Sequence, residues 1–285
     1  LPGLVLDRYG DVLVLQATSA FVDASLDAIV PYVATRLGAD AVVARDDTPA
    51  RGREGLDERV ELLHGRRRVE AAIVEGAVRH TVRPFTGHKT GFYLDQRPAR
   101  ALVRRLAKGR RVLDLCCYQG GFSLHALAGG AVSALAVDES ADALAVAAQD
   151  AAHNGLAGLE TRQGNAFDVA RELRERGESF DLVVLDPPAF AKTRRELDGA
   201  ERGYRDLNRQ ALRLLAPNGF LLTCSCSHHV TGPRFEELLR QAAAGLPFRV
   251  VLRERLGAGD DHPVLLAHPE SEYLKVLLLS RMEDA

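Results

Sequence analysis

Two short segments carry side chains suited to covalent chemistry and base recognition. The first is Ser225-Cys226-Ser227, preceded by Cys224 and followed by His228 and His229. A thiolate is a strong nucleophile, and positive charge from His228 or His229 would favour it over the thiol. Cys224 and Cys226 end an apolar run, so strand alternation points both the same way, one deeper and one nearer the rim. Strand-end cysteines also serve as small buried hydrophobes, and that reading stands beside the nucleophilic one. The second segment is Asp186-Pro187-Pro188-Ala189-Phe190. Pro187 and Pro188 stiffen a strand end, which is a sufficient structural role. The run also brings a carboxylate and a ring together, so that a planar base can stack on Phe190 or its neighbours while Asp186 accepts from an exocyclic amine.

A thiol so placed matches one demanding reaction. C5 of cytosine is too poor a nucleophile to take a methyl group unaided. A thiolate that adds to C6 makes C5 enamine-like; after C5 is methylated, a base removes its proton and the thiolate leaves. The base for that last proton is not legible.

A third segment reads as a cofactor site. Val112-Leu113-Asp114-Leu115 runs into Cys116-Cys117-Tyr118-Gln119-Gly120-Gly121-Phe122. A carboxylate at a strand end followed by a glycine turn lets the backbone approach a nucleotide-like ligand. Asp138 ends the next strand, where a ribose would be held by its paired hydroxyls, and Asn165 follows the third, in reach of an adenine amino edge. An acid or amide at a strand end is also an ordinary helix N-cap. The segment lacks both Gly-x-Gly-x-x-Gly and Gly-Lys-Ser/Thr, so it makes little provision for phosphates, and S-adenosylmethionine (SAM), which has none, fits that lack.

These segments sit in a regular alternation of strand and helix from about residue 89. Strands are expected at 111–115, 131–137, 159–163, 182–186 and 219–224, with two late strands at 248–254 and 272–279. Five βα steps and two closing strands predict an α/β protein with a Rossmann-like, seven-stranded mixed sheet of the class I methyltransferase kind. Before it, residues 1–88 read as a small α+β domain that binds RNA or packs against the second domain, 89–285. That domain comprises a hairpin over 4–17, one helix over 22–37, strands at 41–44, 69–75 and 78–84, and a mobile polar connection over 46–68. Arg66-Arg67-Arg68 reads as a solvated face.

With 285 residues, formal charge −2 and 46% hydrophobic residues, the composition is ordinary, so any nucleic-acid contact must be local. Lys192, Arg194 and Arg195, with Arg202, Arg205 and Arg209 beyond them, are candidates for phosphates flanking a flipped base, or an ordinary solvated face. No apolar run approaches the ~20 residues of a membrane helix. The cysteines fit a reducing cytoplasm, and the adjacent pair Cys116-Cys117 bites a tetrahedral metal poorly, so no metal is expected. Leu1-Pro2-Gly3-Leu4, without an initiator Met, points to a piece of a longer protein.

Taken together, these residues resemble the bacterial large-subunit ribosomal RNA cytosine-C5 methyltransferase I family. The resemblance runs from Asp7-Arg8-Tyr9-Gly10, through Gly87-His88-Lys89-Thr90-Gly91-Phe92-Tyr93-Leu94-Asp95-Gln96-Arg97, to Asp261-His262-Pro263 and Tyr273-Leu274-Lys275. It implies SAM as cofactor and RNA, specifically 23S rRNA, as partner. Phe92, Tyr93, Gln96, Arg97, Asp114, Cys116, Tyr118, Gly120, Phe122, Asp138, Asn165 and Asp186 would form the cofactor pocket. Asp186 would also contact the base, with Pro187, Pro188, Phe190, Lys192 and Arg202 around it, and Cys226 would be the nucleophile. Three features depart from the family: its usual N-terminal PUA domain has no match here, Asn165 stands where Asp is usual, and Cys224 adds a second thiol. Methylation of a base nitrogen, which needs no thiol, and a non-catalytic RNA-binding assembly role are the competing functions. Oligomeric state, a homodimer included, is left open.

Overall fold

The computed structural model describes residues 1–190 and 197–283. They form two compact units, Leu1–Glu75 with Arg79–Leu94, and Gly76–Val78 with Asp95 onward.

In the first unit, β1 (Leu4–Tyr9) and β2 (Val12–Ala17) form the expected antiparallel hairpin, with Gly10 at φ +64° in its turn. β3 (Ala41–Arg45) lies parallel to β2, which requires a crossover, made by α1 (Ala20–Ala24) and α2 (Leu26–Leu37). The single helix expected here is broken at Ser25. Its N–H bonds back to Val22, and its carbonyl accepts from Ala28 and Ile29, so it closes one helix and opens the next. Val22, Leu26, Val30 and Val33 pack on Leu13 and Leu15.

The stretch expected as a mobile connection instead holds a 3-10 turn, Arg51–Glu54, and β4 (Val60–Gly65), which pairs antiparallel with β3 at the sheet edge. An edge strand with partly exposed faces tolerates the polar composition that concealed it. Arg51 is only 2% exposed and pairs with Asp23 at 2.9 Å and Asp46 at 3.4 Å, while Arg59 reaches the same two acids. Arg67 lies over the Phe85 ring and Arg68 pairs with Asp11 and Asp40. β5 (Ala71–Glu75) and β6 (Val78–Val82) form a separate two-stranded sheet. The signature residues Asp7, Tyr9 and Thr90 form one chain of hydrogen bonds: Thr90 Oγ1 donates to Asp7 Oδ2 at 2.5 Å and lies 2.6 Å from the Tyr9 hydroxyl.

In the second unit, α3 (Arg97–Leu106) precedes a regular alternation: β7 (Arg111–Leu115), α4 (Gly121–Ala128), β8 (Ser133–Asp138), α5 (Ala141–His153), β9 (Leu159–Gln163), α6 (Ala166–Glu175), β10 (Phe180–Leu185), α7 (Leu197–Arg213), β11 (Leu215–Ser225) and α8 (Gly232–Ala243). β12 (Arg249–Leu256) and β13 (Lys275–Met282) complete a seven-stranded sheet of order β12-β13-β11-β10-β7-β8-β9. β7 to β11 are parallel, and β13 is antiparallel to both neighbours. This is the expected class I mixed sheet. Strand alternation sends Leu113, Val183, Leu185 and Leu221 to a core with Tyr204, Leu207 and Phe235, and Val112, Leu182, Val184 and Leu222 to a second core with Leu102 and Phe122. Each such aliphatic burial stabilises by about 1.5–3 kcal/mol, which makes the central strands a rigid base for the loops at their ends. Among the described residues, no helix is long and apolar enough to cross a membrane.

Candidate active site

In an open parallel sheet, ligands bind beyond the carboxyl ends of the strands, where the strand order reverses. Here that reversal lies between β7 and β10, whose exits are Cys116 and Asp186.

The loop after β7 is held in an uncommon backbone. Cys116, Tyr118 and Gly120 have φ of 62°, 50° and 68°. Gly120 is the residue before α4, and a Cβ there would lie 2.9 Å from that of Ala147. Three bonds fix the loop: Cys117 N–H to Val137 O, Tyr118 N–H to Asp138 Oδ2 at 2.7 Å, and Gly120 N–H to Cys117 O. Asp138 also accepts from the Ser140 N–H, so its carboxylate ties two strand exits together. Asp114 is fully buried and its Oδ2 accepts from the Ser123 N–H and hydroxyl, which clamps α4 to β7. Burial outweighs those hydrogen bonds and pushes the Asp114 carboxyl up to about 7.

Four carboxylates, Asp186, Asp138, Asp114 and Glu139, act on Cys116, and burial together with them raises its thiol well above the ordinary value. This acid-rich rim suits a cationic or hydroxyl-bearing ligand and repels phosphate. Asn165 Oδ1 caps α6 by accepting from the Phe167 N–H, and its Nδ2 donates to Glu139 at 2.8 Å. Phe122 is buried in the second core beneath the loop. Phe92 and Tyr93 belong to the first unit. There, Phe92 packs on the His80 ring, and the Tyr93 hydroxyl lies 3.1 Å from His88 Nδ1.

Gln96 is buried and its Nε2 donates to Asp186 Oδ2 at 2.9 Å. Arg97 opens α3 and pairs with Asp261 Oδ1 at 2.6 Å. Burial raises the Asp261 carboxyl, but the bonds from His262 and Arg97 prevail and hold it below its ordinary value. Pro187 is buried and Pro188 exposed. The Phe190 ring is turned against Phe167 and, edge-on at 4.7 Å, Tyr204. Arg202 is exposed on α7, Arg205 pairs with Asp206, and Arg209 donates to the carbonyls of Ala242 and Ala244. Lys192, Arg194 and Arg195 lie outside the described residues.

The two thiols differ in setting. Cys224 is fully buried on β11 and, by burial first and the Asp186 charge second, its thiol is raised well above the ordinary value. Cys226, one step beyond the strand, is half-buried. Lys275, which the site reading omitted, lies opposite on β13: Ser225 and Lys275 are register partners, and Lys275 Nζ donates to Ser227 O at 2.7 Å and Tyr273 O at 2.8 Å. His228 is exposed, with its ring 5.7 Å from that of Tyr273.

The family model for S-adenosylmethionine-dependent methyltransferases matches residues 35–279. The chain belongs to that family. It is 42% identical over 283 residues to the ribosomal RNA large subunit methyltransferase I of Aeromonas hydrophila, covering 98% of this chain and 71% of the relative. It is 41% identical over the same length to the protein of that name from Tolumonas auensis, with the same coverage. A Streptococcus mutans structure assigned as a SAM-dependent methyltransferase superposes with a TM-score of 0.84 at 23% identity, over 98% of this chain and 71% of that one, a likeness of fold.

SAM is therefore the cofactor of this methyltransferase. The residues present fit it: Asp138, Asp186 and Glu139 make the strand exits acidic, which suits a sulfonium, and the buried oxygens Asp114 Oδ1, Gln96 Oε1 and Gln119 Oε1 have no hydrogen-bond partner among the described residues.

Proposed function

We propose that the chain methylates C5 of a cytosine in large-subunit ribosomal RNA, with Cys226 as nucleophile and Asp186 as the base-contacting carboxylate. The substrate class follows the name of the 42% identical relative. The chemistry rests on one observation above the others: the half-buried Cys226 lies beside a lysine, whereas Cys224 is sealed next to an acid.

Asp138 and the Cys116–Gly120 backbone would hold the ribose side of SAM, and Asp186 would face its charged end. Bound SAM supplies the methyl group as a sulfonium electrophile. Cys226 Sγ adds to C6 of the cytosine, Asp186 accepts a hydrogen bond from its exocyclic amine, and the Gln96 bond keeps that carboxylate aimed. After C5 is methylated, solvent water takes the C5 proton as the C6–S bond breaks, which releases the Cys226 thiolate and restores the aromatic ring.

The test is methyl transfer from labelled SAM to protein-free ribosomal RNA by the unmodified protein, Cys226→Ser and Cys224→Ser, with the base identified by mass spectrometry. Loss of 5-methylcytosine in Cys226→Ser alone is expected. Methylation surviving in that variant would sink the covalent route and favour a base nitrogen as acceptor.

A further inference from the structure

We propose that Lys275 is the positioning residue for the Cys226 thiolate: its ammonium fastens the chain just past Cys226 and sets positive charge beside the sulfur. This rests on Cys226 being the nucleophile.

The geometry is carried by β13. Its first residue pairs in register with Ser225, the last residue of β11, and from there Nζ donates to Ser227 O and Tyr273 O. Two of its three N–H bonds therefore link the residue just after Cys226 to Tyr273, two residues before Lys275 itself. Ser227 itself is 1% exposed, so the lysine's bond to its carbonyl is shielded from water, where a charge acts strongly. Tyr273, at the other end of the span, donates its hydroxyl to Asp95 Oδ2 at 2.6 Å.

Among the described residues, groups coupled electrically to Cys226 include Tyr204 on α7, Cys224 on β11, and Tyr273 and Lys275 at or just before the start of β13. Asp186 bears on Cys224 and Tyr204 from the end of β10, and Glu272 on Lys275. Of these groups Lys275 carries the positive charge. Burial pulls its ammonium down to about 8, with Cys226 and then Glu272 pulling the other way. A cation held there favours the thiolate of Cys226 over the thiol. The thiol proton goes to solvent, and the thiolate forms beside an ammonium that stays charged, held by the two carbonyls.

The test is alkylation of Cys226 by iodoacetamide from neutral to alkaline pH in the full chain. Peptide mass spectrometry follows Cys226, with Cys116, Cys117 and Cys224 as internal references. In the unmodified protein, the midpoint for Cys226 should fall below the ordinary thiol value of about 8.5. In Lys275→Gln it should rise by about one unit, which is about a tenfold loss of rate at neutral pH. Lys275→Arg, which keeps the cation, should restore most of that loss, whereas a merely structural role would show no such charge dependence. An unshifted Cys226 midpoint in Lys275→Gln, or a shift produced by His228→Ala instead, would overturn the role of Lys275. If Lys275→Gln does not fold, a midpoint at or above the ordinary value in the unmodified protein overturns it equally. Failure of the nucleophile reading looks different: 5-methylcytosine would persist in Cys226→Ser whatever the alkylation profile.

Discussion

Gln96 Nε2 donates to Asp186 Oδ2 across 2.9 Å, joining residues ninety positions apart at the entrance of α3 and the exit of β10. Gln96 Oε1 is buried with no partner among the described residues, so the amide is anchored by one end only. A hydrogen bond to a charged group contributes about 1.5–3 kcal/mol, so Gln96→Leu should lower kcat/KM for RNA methylation by about ten- to a hundredfold. Gln96→Glu should cost more, because it sets like charges against each other. Steady-state kinetics on ribosomal RNA decide this, and a Gln96→Leu enzyme within about threefold of the parent would remove Gln96 from the mechanism.

Asp114 gives a pH signature. Its folded-state carboxyl lies near 7, against about 3.9 for an unfolded Asp. Between those values the folded protein holds a proton that the unfolded chain has released. The stabilisation is therefore complete below about pH 4 and is lost as pH rises through 7, with a slope of up to about 1.4 kcal/mol per pH unit. Asp114→Asn keeps an acceptor for Ser123 but cannot titrate. Denaturant melts at pH 5 and pH 8 should show the parent losing stability relative to this variant, and parallel pH dependence would show that Asp114 carries no such proton.

The segments proposed to carry the chemistry were singled out from the sequence because their signals are local. Cys226, Asp186 and Gly120 sit at strand exits, and an alternating apolar pattern finds the strands. What escaped depends on partners far away in the chain. Lys275 has meaning only through Ser227, forty-eight residues earlier, and the charged stretch from Asp46 to Arg68 folds because Arg51 and Arg59 meet Asp23 and Asp46. Asn165, Phe122 and Phe190 are ambiguous for a different reason. One amide can cap a helix or face a ligand, and one ring can fill a core or stack on a base. The structure uses the first as a cap and the rings in packing.

Gly120 carries two constraints at once, a φ of 68° and a virtual Cβ 2.9 Å from Ala147 Cβ. Gly120→Ala must shift α5 or the loop, at an expected cost of about 1–3 kcal/mol. Since the Cys116–Gly120 backbone is the proposed cradle, SAM affinity should fall by about tenfold or more, in line with that strain. Calorimetric titration with S-adenosylhomocysteine measures it, and unchanged affinity would move the cofactor away from this loop.

Arg51 tests whether the polar stretch of the first unit is structural. Its guanidinium donates to Ala17 O at 2.6 Å and Asp23 Oδ1 at 2.9 Å, and Asp46 beside it is 0% exposed and accepts from the Ala17 N–H. Arg51→Met leaves buried Asp46 and partly buried Asp23 short of a partner, a change that typically costs about 3–5 kcal/mol at a buried pair. Arg59 still reaches both acids, so the lower end, about 3 kcal/mol, is expected. Arg68→Met, which breaks only exposed pairs with Asp11 and Asp40, should cost less than about 1 kcal/mol. Urea melts separate the two. Hydrogen exchange adds a local readout: amides of β4 should be protected in the parent and lose protection in Arg51→Met but not in Arg68→Met. Equal and small effects would return the Asp46–Arg68 stretch to the mobile connection that its composition implied.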